Sequence, residues 1–397
     1  MIFAELKESI IKHSEEILAE AWELALSLFN NPETAYKEHF ACKSLSGFLS
    51  GSGFEIESNL AGLPTAFQAR YAGEGPGPRL AFLAEMDALP EMGHACGHHL
   101  IGASSAAAAV VLKKSLVRFT GSVEVIGTPA EEGGGGKVVL SRAGVFKGLD
   151  AAIIVHPDKR TEIFKRSLGV VELRLTFQGR AAHASVAPET GINALDAVVE
   201  TFNAVSLMRQ QLPDKTRVHG IITDGGTAPN IIPEKASATF LARGLTVEQT
   251  MELAERVKAC AEGAALATGT SLQAELSEDH MYAPYVPNRP LGKAFREVFI
   301  ELGLEDEGGP EDEAMGSTDV GNAGLDVPVV HPLLAVPGVE QGVHTPEFAK
   351  AASSEAAKTM LGQAVKAMAL VGARVLLDAD FRESIKKDHQ RMIAETG

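Results

Sequence analysis

The segment RLAFLAEMDALP, residues 79–90, begins as a mostly apolar run and ends in acidic residues and a proline. Such a run is typical of a strand buried on both faces of a parallel sheet. The next segment, EMGHACGHHLIG at residues 91–102, places three histidines and a cysteine within six positions. In open α/β sheets, ligands bind beyond the carboxyl ends of the strands. We therefore expect a functional site at the end of this strand.

Two later segments repeat this pattern. The segment GSVEVIGTPAEEGGGG, residues 121–136, predicts a strand that leads into Glu131 and Glu132. The segment GLDAAIIVHPD, residues 148–158, predicts a third strand that ends at His156. A helix rich in small residues separates the first two of these strands. Alternation of strands and helices predicts an α/β fold with a largely parallel sheet.

The pattern changes between residues 168 and 277. The segment GVVELRLTFQG alternates apolar and polar residues, as a half-exposed antiparallel strand does. Helix and strand patterns then follow in the order βαββαβ, which predicts a ferredoxin-like open-faced sandwich. We predict a mixed α/β chain whose largely parallel catalytic, metal-binding domain covers residues 1–167 and 278–397. Residues 168–277 would form an inserted α+β domain.

Composition narrows the classes of function. The 397 residues exceed what one compact core usually holds. The formal net charge of −16 disfavours a nucleic-acid partner, because an acidic surface repels phosphates. No uninterrupted apolar run approaches the roughly 20 residues that span a bilayer, so we expect no membrane association. The N-terminus lacks a secretory pattern and the cysteines are sparse, which favours a cytoplasmic location: Cys42, Cys96 and Cys260.

The side chains at the three strand ends are the ligand types of a divalent transition metal. Thiolate, imidazole and carboxylate groups bind such ions. Glycines beside Cys96 and His98 let that loop fold tightly enough for both side chains to face one ion. Adjacent Glu131 and Glu132 point in different directions, so one can bind metal while the other faces a water. Each segment alone also fits a structural loop or a solvated turn; their joint occurrence favours the metal site.

Seven motifs, taken in order, resemble the co-catalytic metallopeptidase and amidohydrolase family that includes carboxypeptidase G, aminoacylases and hippurate hydrolase. The resemblance spans nearly the whole chain. It is greatest to the branch with aminobenzoyl-glutamate hydrolase and the β-alanyl-lysine-type dipeptidases. The motifs are EMDALPEMGHACGHHLIG, GTPAEEGGGGKVVL, VHPD, FQGRAAHAS, GGTAPNIIPEKA, GSTDVGN and HTPEF.

The resemblance implies two divalent metal ions, which ligand type alone leaves open as zinc, manganese, cobalt or nickel. Glu131 would be the general base. Asp87 and Asp319 would lie just outside the metal ligands, where Asp87 would hold a ligand in position. The thiolate of Cys96 would bridge the two ions. The implied ligands are Cys96, His98, Glu132, His156 and His344.

The resemblance also assigns roles to the inserted domain. His183 would reach the site of a partner subunit and donate to the developing oxyanion, which implies a homodimer with the insert as lid and dimerisation domain. Asn230 and Arg243 would contact the substrate carboxylate, although an asparagine here can also cap a turn and this arginine can simply be solvated. His331 competes with His344 for the last ligand position. The HTPEF context favours His344, which leaves His331 near the substrate.

These features predict a metal-dependent hydrolase that cleaves the amide bond of a small N-acyl amino acid or dipeptide. Three alternatives stay open: a narrow hydrolase of aminobenzoyl-glutamate-type conjugates, a metal-binding protein without turnover, and a thiol hydrolase with Cys96 as nucleophile. Glu131 argues against the second, and the surrounding ligand set argues against the third. The chain departs from the family at His99, where asparagine or aspartate is usual, and at Glu85, where other branches carry a metal-binding histidine.

Overall fold

A computed structural model describes residues 2–309 and 314–396 of the chain. Within them the helices are α1 (Ile2–Phe29), α2 (His39–Gly51), α3 (His98–Ser115), α4 (Gly136–Arg142), α5 (Ala194–Met208), α6 (Val247–Thr268), α7 (Arg289–Glu301), α8 (Val320–Asp326), α9 (Pro346–Ala351), α10 (Glu355–Leu377) and α11 (Ala379–Thr396). Short 3-10 helices are Leu60–Gly62, Pro188–Thr190, Arg209–Gln211 and Glu278–His280. The strands are β1 (Glu55–Ser58), β2 (Phe67–Ala72), β3 (Arg79–Glu85), β4 (Ser122–Thr128), β5 (Ala151–Ile153), β6 (His156–Asp158), β7 (Arg166–Ser167), β8 (Gly169–Gln178), β9 (Arg217–Asp224), β10 (Lys235–Gly244), β11 (Ser271–Leu276), β12 (Ala314–Met315), β13 (Val329–Val330) and β14 (Leu333–Ala335).

The chain divides into two compact units. Among the described residues, the first comprises 2–166, 285–309, 314–315 and 319–395, and the second comprises 167–284, 316–318 and 396. The second unit continues past residue 277, where we predicted its end, because Val170 and Tyr282 exchange backbone hydrogen bonds of 2.9 and 3.0 Å. The catalytic and lid roles that we assigned to these regions stay predictions.

A six-stranded sheet forms the centre of the first unit, in the order β1-β2-β4-β3-β5-β13. The four strands β4, β3, β5 and β13 run parallel, and β1 and β2 pair antiparallel at one edge. The prediction of a mixed α/β fold with a mostly parallel central sheet is confirmed. Because β3 and β4 are parallel neighbours, the segments that follow them leave the sheet at the same edge.

Helices α3 and α10 pack against this sheet, and α1 packs against both of them. Helices α3 and α10 also contact each other. The small residues of α3 permit this close approach, and its residues 98–112 are all buried. In α10, Gly372 provides similar room, since a Cβ there would lie 2.8 Å from Leu80 and 2.9 Å from Leu112. The core directly behind β3 is therefore closely packed.

Two local predictions were wrong. Helix α3 begins at His98, which we expected to lie in a loop, because Gly97 takes a left-handed φ of 83° and starts the helix at once. The third predicted strand is divided into β5 and β6. His156 opens β6, which pairs with β14, whereas β5 pairs with β13. Pro332 lies between β13 and β14 and has no N–H to donate, so the pairing is interrupted there.

The elements of the second unit follow one another as β8, α5, β9, β10, α6 and β11. Their sheet has the order β11-β8-β10-β9, and every pairing is antiparallel. Helices α5 and α6 pack on one face, where alternate residues of β10 are buried. Asn193 and Thr246 cap these helices by accepting a backbone N–H in the first turn. The edge strand β9 exposes Ile221 and Ile222.

One helix of the described chain, α10, is long and apolar enough to cross a bilayer by length and composition. Lys366 and Arg374 divide the sequence of α10, so its uninterrupted apolar runs are shorter than the helix itself. However, 72% of its most apolar window is buried inside the protein. The apolar character of α10 is thus explained by its place in the core.

Phe82→Ala tests the packing behind the site. Phe82 is fully buried in β3, so its loss leaves a cavity that costs about 3–5 kcal/mol of unfolding free energy. The single tryptophan, Trp22, lies in the same core, so its fluorescence during urea unfolding reports on the first unit. Phe40→Ala, at an exposed position, should shift the transition by less than about 0.5 kcal/mol. Equal shifts for both variants would contradict this description of the core.

Candidate metal centre

Cys96, His98 and His156 form the first group of donors. Their ligand atoms all lie within 4.8 Å of one another, and the Sγ of Cys96 is 3.5 Å from the Nε2 of His156. The two loops that carry them approach closely at Gly97, where a Cβ would lie 2.5 Å from the ring of Pro157. Glycine at this position therefore permits both the left-handed turn and the contact with the loop of His156.

Asp87 orients two parts of the centre at once. One carboxylate oxygen lies 3.1 Å from the Nδ1 of His98, and the other accepts the backbone N–H of Glu132 at 2.9 Å. A proton on Nδ1 that is donated to Asp87 leaves the lone pair of Nε2 facing the centre. A carboxylate behind a histidine fixes the tautomer and the ring orientation in this way at metal sites.

Cys96 also belongs to a second group of donors, with Glu132 and His344. These ligand atoms again lie within 4.8 Å of one another, and the Nε2 of His344 is 3.0 Å from Glu132. His344 has a left-handed φ of 65° and its N–H donates to the carbonyl of Ala95 at 2.8 Å. A strained non-glycine residue is characteristic of functional positions. The sulfur of Cys96 is thus common to both groups.

Glu131 lies beside both groups. One of its carboxylate oxygens is 4.0 Å from the Nε2 of His98, and Glu131 forms a further donor group with His98 and Glu132. The loop enters this position through Ala130, which has a left-handed φ of 60° and whose N–H donates to the buried carboxylate of Glu38 at 2.9 Å. Glu38 therefore holds the turn that directs Glu131 towards the centre.

The two neighbouring glutamates differ electrostatically. Burial raises the pKa of the Glu131 carboxyl well above its usual range, and the carboxylates of Glu85 and Asp319 raise it further. Burial also acts on Glu132, but the hydrogen bond from His344 and the charge of His98 lower its pKa to about 2. A carboxyl with a raised pKa suits proton transfer, whereas a carboxylate that stays ionised suits metal binding.

Lys137 is a buried residue beside the centre that we did not predict from the sequence. Its Nζ is fully buried, 2.7 Å from Glu85 and 2.6 Å from Asp319. A lysine in the apolar segment that follows four glycines was the available signal, because a buried lysine requires an acidic partner. Glu85, which the sequence left unassigned, pairs with this lysine and lies 3.5 Å from the Nε2 of His98.

His331 and His99 lie close to the centre without joining either donor group. The ring of His331 packs edge-on against His156 with centroids 5.4 Å apart, and its backbone N–H donates to the hydroxyl of Tyr285 at 2.7 Å. Neither ring nitrogen of His331 has a hydrogen-bond partner among the residues that the structure describes. The Nε2 of His99 lies 3.0 Å from the carbonyl of Ala352, away from the donor groups.

The other predicted site residues, His183, Asn230 and Arg243, belong to the second unit. The loop of His183 lies next to that of Asn230, because the N–H of Ala184 donates to the Asn230 carbonyl at 3.0 Å. Both residues are exposed. The guanidinium of Arg243 donates to the hydroxyl of Ser317 at 2.7 Å and to His219 at 3.2 Å. The Arg243 side chain is therefore fixed by two hydrogen bonds and is not freely solvated.

The donor set fits two divalent transition-metal ions. Each group combines the sulfur of Cys96 with imidazole or carboxylate donors, which is the chemistry of zinc, manganese, cobalt or nickel sites. The Nε2 of His98 is buried and has no hydrogen-bond partner in the described part of the chain, although it faces the carboxylates of Glu85, Glu131 and Glu132. A bound cation would satisfy this nitrogen and reduce the repulsion among the carboxylates.

A model of the family described as peptidase family M20/M25/M40 matches residues 81–367. The chain belongs to this family. The mouse Xaa-Arg dipeptidase is 36% identical to this M20 chain over 409 residues, which cover 98% of this chain and 93% of the mouse protein. One of the subunits of the p-aminobenzoyl-glutamate hydrolase of Escherichia coli K12 is 34% identical over 302 residues, which cover 71% of this chain and 62% of the bacterial protein.

Solved structures share the M20 fold. A crystal structure of a dinuclear metal-binding peptidase of the M20 family from Bacillus subtilis has a TM-score of 0.66 and 21% identity, with 90% of this chain and 98% of that chain covered. The family and branch that the motifs indicated are therefore confirmed, and the chain is a hydrolase of the metallopeptidase type.

Asp87→Asn tests how the centre is oriented. The amide cannot serve both the Nδ1 of His98 and the N–H of Glu132 as the carboxylate does, so we expect metal affinity to fall about 10- to 100-fold. Equilibrium dialysis against Mn²⁺ measures this change. Asp150→Asn, at an exposed aspartate of the same unit, is the matched control and should bind as the unchanged protein does. Wild-type affinity in Asp87→Asn would contradict the assigned role.

Proposed function

We propose that this protein is a two-metal hydrolase that cleaves the amide bond of dipeptides and N-acyl amino acids with a free carboxylate. The observation that carries the proposal is the sulfur of Cys96, which is shared by two donor groups. Dipeptides are the favoured substrates. The nearly full-length similarity to the Xaa-Arg dipeptidase supports them over aminobenzoyl-glutamate conjugates, because the similarity to the hydrolase of those conjugates covers less of both chains.

The two donor groups divide the proposed ligands. Cys96, His98 and His156 would hold one ion, and Cys96, Glu132 and His344 the other. When bound, a pair of divalent cations lowers the pKa of water and polarises a substrate carbonyl. Asp87 keeps His98 in the tautomer whose Nε2 faces the ion.

Glu131 is the general base in this proposal. It takes a proton from the attacking water and transfers it to the amide nitrogen as the carbon–nitrogen bond breaks, so that the amine leaves neutral. Two features support this role. Glu131 is held beside the donor groups by the strained turn at Ala130, and the neighbouring Glu132 is already paired with His344.

The second unit would supply the groups that bind the substrate. Arg243 offers a planar guanidinium that matches a carboxylate, and its contacts with Ser317 and His219 hold it in place. Asn230 would add an amide donor to the same carboxylate, and His183 would donate to the oxyanion. The first unit would add His331, whose two ring nitrogens have no hydrogen-bond partner in the described chain, which supports a contact with the substrate.

A thiol mechanism through Cys96 is disfavoured. Cys96 is only 7% exposed, and burial raises the pKa of its thiol. Nucleophilic cysteines instead lie in partly exposed surroundings that lower the thiol pKa. Although the Nε2 of His156 lies 3.5 Å from the sulfur, two further donors, Glu132 and His344, surround the same atom. This environment suits a metal ligand better than a nucleophile.

We also propose that the protein acts as a homodimer in which His183 completes the partner's site. The edge strand β9 exposes Ile221 and Ile222, which are 67% and 47% accessible. An open strand edge with exposed apolar side chains is suited to pairing with another copy of the chain. The sheet of the second unit would then provide the interface.

Hydrolysis should depend on divalent metal. Chelation should abolish cleavage of aminoacyl-arginine and aminoacyl-lysine dipeptides, and added Mn²⁺, Zn²⁺, Co²⁺ or Ni²⁺ should restore it. The panel should include N-acetyl amino acids and aminobenzoyl-glutamate, with released amine as the readout. Cleavage of aminobenzoyl-glutamate alone would favour the narrower conjugate hydrolase. Activity that is indifferent to chelation would contradict the metal mechanism.

Glu131→Gln separates proton transfer from metal binding within this experiment. The variant should keep its metal content while kcat falls by about 10²- to 10⁴-fold, because only the proton acceptor is removed. Glu57→Gln, at an exposed glutamate of β1, is the control and should retain full activity. A fully active Glu131→Gln would show that another group is the base.

Mixed dimers test the proposed role of His183. Glu131→Gln and His183→Ala homodimers should both be nearly inactive. After the two variants are dissociated and reassociated together, about one quarter of the wild-type rate should return, because half of the dimers are mixed and each has one intact site. If His183 acts within its own subunit, every site in the mixture lacks one group and no activity returns. Light scattering on the same samples measures the oligomeric state.

A further inference from the structure

Lys137 is a fully buried cation beside the proposed centre. Its Nζ lies 2.7 Å from Glu85 and 2.6 Å from Asp319, and its backbone N–H donates to the other oxygen of Asp319 at 2.9 Å. Burial opposes the charged form of Lys137, but Asp319 and Glu85 outweigh burial and raise the pKa of its ammonium above the ordinary value. Lys137 is therefore a fixed positive charge in the first turn of α4.

The carboxylates around this ammonium have the geometry of a cation site. Oxygen atoms of Glu85, Glu131 and Asp319 lie within 4.8 Å of one another. Glu85 and Asp319 are buried and Glu131 is partly exposed; the three carboxylates repel one another and attract any cation that can reach them. Hard cations such as Mn²⁺ and Mg²⁺ prefer oxygen donors of this kind. The charge of Lys137, which is placed between Glu85 and Asp319, offsets this attraction from within the cluster.

Occupation of this cluster by metal would be harmful to catalysis. Glu131 belongs both to this cluster and to the donor group with His98 and Glu132. If a metal ion were bound among Glu85, Glu131 and Asp319, Glu131 would become a ligand. A metal ion bound to the carboxylate lowers its pKa, so a ligated Glu131 would be a much weaker acceptor for the proton of the water.

We propose that the Lys137 ammonium acts as a built-in cation that keeps metal ions out of the Glu85–Glu131–Asp319 cluster and so preserves the basicity of Glu131. This inference rests on the proposed function, because it assumes two catalytic ions and Glu131 as base. Lys137 is a positioning residue: it acts through Glu131 and does not touch the substrate. A purely structural ion pair would stabilise the fold without changing how many ions bind.

Counting bound metal distinguishes these two roles. Lys137→Ala removes the charge and leaves room for an ion, whereas Lys137→Arg keeps the charge. Equilibrium dialysis against Mn²⁺, without substrate, should give two ions per chain for the wild type and for Lys137→Arg, and three for Lys137→Ala. In Lys137→Ala, kcat should fall about 10²-fold while KM changes by less than about threefold, because proton transfer is lost and substrate binding is kept. Lys137→Arg should restore most of kcat.

The control variants locate the additional ion. Lys147→Ala removes an exposed lysine of the same unit and should bind two ions with unchanged kcat. The double variant Lys137→Ala/Glu85→Gln lacks one carboxylate of the cluster and should lose the third ion. If Lys137→Ala is unfolded in metal-free buffer, Mn²⁺ should restore its fold, since the ion supplies the missing charge.

Each result decides one question. Two ions in Lys137→Ala, or a variant that stays unfolded at saturating Mn²⁺, would overturn the role of Lys137. A third ion that persists in the double variant would place it elsewhere and would also overturn that role. A wild type that binds no Mn²⁺, or one ion only, would instead refute the two-metal function itself. The number of ions bound by the wild type therefore tests the two-metal function, and the number bound by the variants tests the role of Lys137 separately.

Discussion

Mutual repulsion among five carboxylates in one largely buried site is the main physical demand on this fold: Glu85, Asp87, Glu131, Glu132 and Asp319. Such a cluster persists only if positive charge or hydrogen-bond donors offset each group. Asp87 faces His98, Glu132 faces His344, and Glu85 and Asp319 share Lys137. The remaining imbalance is centred on Glu131, whose pKa burial and its neighbours raise. This is the position at which proton transfer is proposed.

The fold meets this constraint by bringing distant segments to one edge of a parallel sheet. Strands β3 and β4 deliver Asp87 and Glu132, and the helix that begins at His98 packs behind them. Irregular backbone places two further groups: Ala130, which precedes Glu131, and His344 itself both have a left-handed φ. Because these conformations are costly, the hydrogen bonds that Glu38 and Ala95 accept are needed to hold them. The positions of Glu131 and His344 are therefore fixed by hydrogen bonds that hold strained backbone in place.

Much of this arrangement could be predicted from the sequence, because strand ends and reactive residues coincide along the chain. The apolar run before Asp87 and the Glu131–Glu132 pair indicated a site at one sheet edge, and the motifs indicated the family. The partners of Lys137 could not be predicted, since Glu85 and Asp319 are 52 and 182 residues away from it and only the fold joins them. The start of α3 at His98 depended on the φ of Gly97, which the sequence permits but does not require. The roles of His183, Asn230 and Arg243 rest on the family resemblance and stay predictions.

Anomalous X-ray scattering from crystals of the Mn²⁺-loaded protein, recorded on both sides of the manganese absorption edge, would locate the bound ions. We expect two peaks per chain that share the sulfur of Cys96, one beside His98 and His156 and the other beside Glu132 and His344. The Glu85–Glu131–Asp319 cluster should give no peak. A single peak, or two peaks of which neither lies within bonding distance of Cys96, would rule out a two-metal centre bridged by this sulfur.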